Sequence, residues 1–503
     1  MPHILNAKQP PKVGNDLVKP LLALLSVLFF AVAASPAQEP YQTIQMLEGT
    51  RSLGGGTLSA YLNGSDPAIA ARAALAIGRS KQPAGVALLT PHLRESDAGF
   101  RAMVIYALGL IGTGETAPKI TSALTHDSAA VVRVATLDAL GRFEAGKALP
   151  ARLEANAFRA IVSVLHRDSD AMVRARAATA LEAFHTGIMQ VVASRELVSA
   201  FKSERYPDVR WHIMWSVFRG YAVRVPRPVL TAALRDKNEI VRIEAVRAYG
   251  RLKNKDAVAA LQPSLQDPSW RVAEQAVETI KALSGQPPTE HLTTIPPNVR
   301  VPPASTQATM DVPPLPRPSL TGKPAAPNPL NVRFEPKLIP ASRAIMSGPM
   351  SGPHPAVRVT TTKGTFVLKL YPEWAPLTVA NFLNLTNRGY YDGLRWFRIV
   401  PDFVVQTGDP NDNGEGDAGY TIPAEENPIE QDSGVLSMGL NYQGDHPLRD
   451  SAGTQFYITL SPQLHLNRDF TVFGRVISGF DVLGRLVESD RMTKVEQIPD
   501  TNE

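Results

Sequence analysis

Cysteine is missing from all 503 residues. Its absence excludes disulfides, thiolate zinc sites and cysteine nucleophiles, and also anchoring through a lipidated N-terminal cysteine as in a bacterial lipoprotein. A large excess of either charge is missing too. A formal net charge of +5 is small for this length and gives no reason to expect a nucleic-acid partner. H-E-x-x-H, G-x-S-x-G and the P-loop do not occur, which removes the zinc peptidase, nucleophile-elbow and Walker-type readings. No apolar run is long enough for a spanning helix of about 20 residues. The longest, Leu21 to Ala34, has 14.

That run follows Lys8, Lys12 and Lys19 and precedes the small residues Ala34-Ser35-Pro36-Ala37. A basic leader, an apolar stretch and small residues, in that order, describe a secretory signal peptide. Cleavage near Ala37 is expected. An uncleaved anchor over 21–34, the alternative, would put the chain at a membrane. Export without cysteine fits a bacterial periplasm. At 503 residues the chain exceeds one core, so two or more domains are expected.

From 38 to 285 one pattern recurs: an acidic or turn-forming residue, then an apolar-periodic helix with an early arginine. It begins at Asp66, Asp97, Asp127, Asp168, Pro207, Asp236 and Asp267. The acidic residue suits a helix N-cap. Shorter apolar helices such as Val86–Leu89 and Ala257–Leu261 lie between. Two helices per repeat, stacked side by side, give an all-α solenoid. Arg72, Arg133, Arg174 and Arg242 each follow their aspartate by six residues, so an internal ladder between repeats explains them better than a basic stripe. Trp211, Trp215 and Phe218 lie at helical spacing and are expected in the core. The segment 286–355 holds 18 of the 43 prolines. It reads as an extended linker between two independent domains.

From 356 to 498 the period becomes two. Val357–Thr362 and Thr365–Leu370 flank Lys363-Gly364 as a hairpin. A helix is expected over Ala375–Thr386. Strands are expected around Trp396–Val400, Phe403–Gln406, Gly434–Met438, Gln455–Leu460 and Phe470–Val476, giving a mainly antiparallel β-barrel with flanking helices. One loop carries two short motifs. Gly414–Gly419 fits G-x-G-x-x-G, but no helix is expected to open there. Asp409–Gly414 begins like a calcium loop, yet its twelfth position is Tyr420 rather than glutamate. No cofactor or metal site is read from either.

The segments VRVTTTKGTFVLKLYPEWAPLTVANFLNL, YYDGLRWFRIVPDFVVQTGDP, GYTIPAEE, GVLSMG, GTQFYITLSPQLHLNRDFTVFGRV and GFDVLGRL resemble, in order, the cyclophilin family of peptidyl-prolyl isomerases. The D-x-x-x-x-V-R signature upstream resembles HEAT repeats. The first resemblance implies a peptidyl-prolyl cis–trans isomerase that binds proline-containing polypeptides without a cofactor. In R-I-V-P-D-F-V-V-Q it implies Arg398 as the catalytic arginine and Gln406 as the carbonyl-orienting amide. Phe403, Val404, Gln455, Tyr457, His465, Leu466 and Phe470 follow as substrate-binding residues. Gln455 and Tyr457, two apart on a strand, point to one face. The chain departs from the family at Val404, Leu440, His465 and Phe470. Histidine in place of the usual tryptophan at 465 implies poor sensitivity to cyclosporin. The whole is expected to be an isomerase assisting exported proteins, its solenoid binding a protein partner that the sequence does not name. A weakly catalytic scaffold that grips proline segments is the alternative.

Overall fold

The computed structural model describes residues 39–286 and 354–499, apart from 185–186, 254, 444–445 and 468. The expected leader and almost all of the proline-rich segment lie outside the described residues.

Helices fill Glu39–Ser284 and stack in two layers. The inner layer holds Pro67–Ser80, Ala98–Ile111, Ala130–Ala145, Ala171–Leu181, Pro207–Ser216, Glu239–Arg251 and Trp270–Ser284. Ala98–Ile111 is buried at every residue from Ala102 to Ile111, as expected of a helix that is apolar all round. The outer helix Ala151–Arg167 buries only Ala157, Phe158, Ile161, Val164 and Leu165, one stripe at helical spacing. Inner neighbours approach closely. A Cβ on Gly78 would lie 2.7 Å from the Ala107 Cα. Trp211 and Trp215 are core residues, and Phe218 packs half-buried against them.

The arginine ladder is present and longer than its four expected members. Arg101 pairs with Asp127, Arg133 with Asp168, Arg174 with Glu204, Arg210 with Asp236 and Arg242 with Asp267, at 2.7–2.9 Å. Each guanidinium also bonds backbone carbonyls of its own repeat, as Arg133 does to Asp127 at 2.9 Å. The capping role is as expected at Asp66 and Asp97 and differs at the other four aspartates. Asp127, Asp168, Asp236 and Asp267 accept the N–H two residues on, an Asx turn ahead of the helix. Asp66, Asp97, Asp170 and Asn238 are the N-caps. Arg72 leaves the ladder and pairs with buried Glu48.

The second part is a sheet of eight strands: β1 (Ala356–Thr361), β2 (Gly364–Leu370), β3 (Arg398–Val400), β4 (Val404–Thr407), β5 (Val435–Met438), β8 (Phe456–Thr459), β9 (Val472–Ser478) and β10 (Met492–Ile498). A separate small hairpin joins β6 (Tyr442–Gln443) to β7 (His446–Pro447). The main order is β10-β1-β2-β9-β5-β8-β4-β3. Every pairing is antiparallel, and an Arg395–Arg491 bridge ties the two edges together. Helix Pro376–Asn387 covers one end. Inside sit Phe366, Phe382, Trp396, Phe456, Ile458 and Phe473. Strand β10 was not among the expected strands.

The two parts are separated in sequence but packed together in space, contrary to the expectation of independent domains. Tyr371, Trp374 and Leu464 join the solenoid core. Arg79, fully buried, donates to the carbonyls of Trp374 at 2.6 Å, Glu425 at 3.1 Å and Glu426 at 2.7 Å, and to the Glu48 carboxylate at 2.5 Å. Arg176 reaches Glu430 at 2.5 Å. At the other end Arg247 and Arg271 both hold Asp402, at 2.9 and 2.6 Å. Removing one partner of such a buried network leaves charges and carbonyls unsatisfied. Arg79→Ala is therefore expected to destabilise the full chain by about 3–5 kcal/mol, read as a lower denaturant midpoint. An unchanged midpoint would contradict the docking described.

Candidate active site

Four side chains line up across the sheet. Strand pairing sets Arg398 opposite Gln406, Gln406 opposite Tyr457 and Tyr457 opposite Ser437, and directly opposed residues share a face. Arg398 is exposed. Its Nη1 donates to Gln406 Oε1 at 3.1 Å, and Gln406 Nε2 donates to Gln455 Oε1 at 3.2 Å. Gln455 Nε2 in turn donates to the carbonyls of Gly414 and Gly416 at 2.9 and 3.1 Å. The guanidinium thus ends a relay of amides anchored in a backbone loop, and lies 5.4 Å from the centre of the Phe403 ring.

That loop is the one with the two short motifs. The Asp409 carboxylate accepts N–H bonds from Asn411, Asn413 and Gly414, so its oxygens serve the turn. A Cβ on Gly416 would sit 1.9 Å from Asp409 Oδ1. The glycine spacing here answers a steric need, and the chain continues into an Ile422–Ala452 bridge rather than a helix.

Beside the relay lies an apolar pocket. Val404, Tyr457, Leu466 and Phe470 form a buried cluster, with Phe403 and Leu440 packed against it. The Tyr457 and Phe470 rings meet edge to face, centres 5.6 Å apart. His465 stacks on Phe403 at 5.6 Å with 15° between the planes and forms the rim. All nine expected site residues therefore fall in one region. Leu440, which sequence reading noted only as a departure, joins them.

The comparisons with known proteins bear on the same part of the chain. The family described as cyclophilin type peptidyl-prolyl cis-trans isomerase/CLD matches residues 356–501. HEAT repeats match 56–141 and 227–295. Peptidyl-prolyl cis-trans isomerase B of Bacillus subtilis is 46% identical over 129 residues, 25% of this chain and 86% of that protein. The chain belongs to the cyclophilin-type peptidyl-prolyl cis–trans isomerase family. A Synechococcus elongatus peptidyl-prolyl isomerase is 39% identical over 142 residues, 28% of this chain and 94% of the relative. A crystal structure of a Cryptosporidium parvum cyclophilin covers 29% of this chain and 98% of its own, at 27% identity and a TM-score of 0.27. The activity of this cyclophilin domain is peptidyl-prolyl cis–trans isomerisation.

Two features of this cyclophilin site concern its contact with the solenoid. The first is the loop between β3 and β4. Asp402 lies there with φ 54°, a left-handed conformation that aspartate tolerates better than most residues. Its carboxylate faces the solenoid, and its carbonyl takes bonds from Ser461 and from Gln463 at 3.0 Å. Phe403 is the next residue, so the solenoid arginines hold the loop that carries a pocket aromatic. Nothing in the isolated motif R-I-V-P-D-F announces those arginines.

The second is His465. Burial, and then the positive charges of Arg219 and Arg247, lower its pKa from the ordinary 6.5 to about 4. The ring is neutral at physiological pH. A depressed histidine pKa means that the unfolded chain binds the extra proton between about 4 and 6.5. This contribution to stability is full above pH 6.5 and is lost as pH falls toward 4. His465→Gln is expected to flatten that acid limb of a denaturation-midpoint profile, and identical limbs would disprove the assignment.

Tyr457 gives another prediction. Its hydroxyl is buried beside Ser437 and Gln431 without a well-formed hydrogen bond. Desolvation pushes the phenol well above its usual range, so it stays neutral. Removing a poorly satisfied buried hydroxyl is close to neutral or stabilising. Tyr457→Phe is expected to keep kcat/KM within about twofold and leave Tm equal or higher. A large loss in either would show that the hydroxyl takes part in binding.

Proposed function

We propose that this isomerase acts on proline-containing segments of exported proteins, with Arg398 stabilising the twisted amide and Gln406 orienting the carbonyl. The observation that carries this reading is the Arg398–Gln406–Gln455 relay beside the pocket of Val404, Tyr457, Leu466 and Phe470. An X–Pro bond resists rotation because C–N resonance sets a barrier of about 18–20 kcal/mol. Rotation removes the resonance and leaves a pyramidal nitrogen with a basic lone pair. A guanidinium already fixed in place donates to that nitrogen more strongly than to the planar amide. Gln406 spends one amide hydrogen on Gln455 and keeps the second for the carbonyl of the rotating bond. The proline ring rests against Tyr457, Leu466 and Phe470, with Phe403 and His465 at the rim. No bond to the substrate breaks and no electron is transferred to or from it, so the chemistry asks for no cofactor.

Export rests on the order of basic, apolar and small residues over 8–37, and a bacterial periplasm fits that order in a chain without cysteine. The solenoid serves as the protein-interaction part. Its repeats offer an extended surface, and its docking keeps that surface beside the pocket.

Arg398→Ala is expected to lower kcat/KM on a proline tetrapeptide by about 10²–10³-fold without shifting the denaturation midpoint, because the side chain is exposed. Equal rates for the two proteins in a protease-coupled assay would defeat the catalytic role and leave a domain that only grips proline segments.

A further inference from the structure

Where the last inner helices meet the β3–β4 loop, a groove of about 710 Å³ runs between the two parts of the molecule. Phe218 and Trp270 line its solenoid side. Val400, Pro401, Phe403 and His465 line its isomerase side. Phe403 also packs against the proline pocket, and His465 stacks on Phe403. Groove and pocket therefore share a wall. A polypeptide seated by its proline lies against that wall, and at about 3.3 Å per extended residue the groove is within a few residues of the proline.

The chemistry of the groove is set by which groups are already engaged. Arg247 and Arg271 are held by Asp402, and Arg271 also by Glu239 at 2.7 Å. Facing charges at the groove, Glu274, Glu278 and Lys281 among them, are mixed in sign. The indole of Trp270 and the ring of Phe218 are half-buried, and Phe218 carries Arg251 on its face at 5.0 Å. Aromatic surface without net charge favours a large apolar side chain over an acidic or basic one.

We infer that this groove is a second substrate subsite, which takes an apolar side chain of the client polypeptide a few residues away from the isomerised proline. The inference rests on the isomerase reading of the adjacent pocket. It adds a selectivity that the isomerase domain would lack by itself, for segments in which proline lies near large apolar residues. Unfolded chains expose far more of such segments than folded ones.

The test uses the full chain and three peptides around one Ala-Pro pair: a tetrapeptide, a twelve-residue peptide with leucine and phenylalanine flanks, and the same length with serine flanks. Trp270→Ala is expected to raise Kd and lower kcat/KM for the apolar twelve-mer by about 5–10-fold. The tetrapeptide and the serine-flanked peptide should be unaffected, and Trp270→Phe should recover most of the loss. Equal loss on all three peptides, or none on the apolar one, would overturn the subsite. So would displacement of the apolar peptide, but not of the serine-flanked one, by a synthetic peptide covering 300–320, which would make the chain's own proline-rich segment the occupant. Anisotropy measurements of Kd decide the subsite even if turnover of the tetrapeptide by the wild type is absent, an outcome that would count against the isomerase reading alone.

Discussion

A guanidinium cannot be left dry and unpaired, and Arg79 is fully buried. Glu48 supplies the countercharge, and three carbonyls of the cyclophilin domain supply the remaining acceptors. This constraint ties the parts of the molecule to one geometry. Glu425, whose carbonyl is one of the three, uses its carboxylate to accept the N–H groups of Leu377 and Thr378 at 3.0 and 2.8 Å. The start of the domain's covering helix and the end of the first inner helix are thereby fixed to the same short segment. A buried ionic network of this kind adds little net stability compared with apolar packing. What it selects is orientation, because few relative placements satisfy every donor at once.

The inner helices carry two sets of arginines with different tasks. The early set, Arg101, Arg133, Arg174, Arg210 and Arg242, stitches each repeat to the next. The second set, Arg79, Arg176 and Arg247 from farther along their helices and Arg271 from the start of the last one, leaves the solenoid and ends on the isomerase. One set makes the stack regular, and the other makes it specific to this neighbour. The second set finishes at Asp402, one residue from Phe403, so the docking surface and the substrate pocket adjoin through a single peptide.

Much of this was legible in the sequence. The repeat period, the six-residue step from aspartate to arginine and the alternation of Gln455, Phe456, Tyr457 and Ile458 are local patterns, and the structure keeps them. What stayed hidden was non-local. Arg79 looks like any arginine on a helical face, and its three carbonyl partners stand 295 to 347 residues away. Asp127 and its equivalents look like helix caps, because an Asx turn and an N-cap use the same side chain two residues apart. Strand β10 is half-exposed, and its polar positions Thr493, Lys494 and Glu496 blur the alternation. It exists as a strand because β1 offers an edge, from Ala356 opposite Ile498 to Thr361 opposite Met492.

Docking through folded surfaces also changes what the proline-rich segment 286–355 is for. In a tethered pair, linker length sets the effective concentration of one module near the other. Here the active-site loop is registered by Asp402 on its two arginines, and no length of tether improves that alignment. Insertions, deletions and duplicated proline pairs between Gln286 and Pro355 can therefore accumulate without moving the pocket. The segment is left with a minimum span to bridge and only a slowly growing entropic cost for extra length, a tolerance that gives it evolutionary freedom which neither folded part shares.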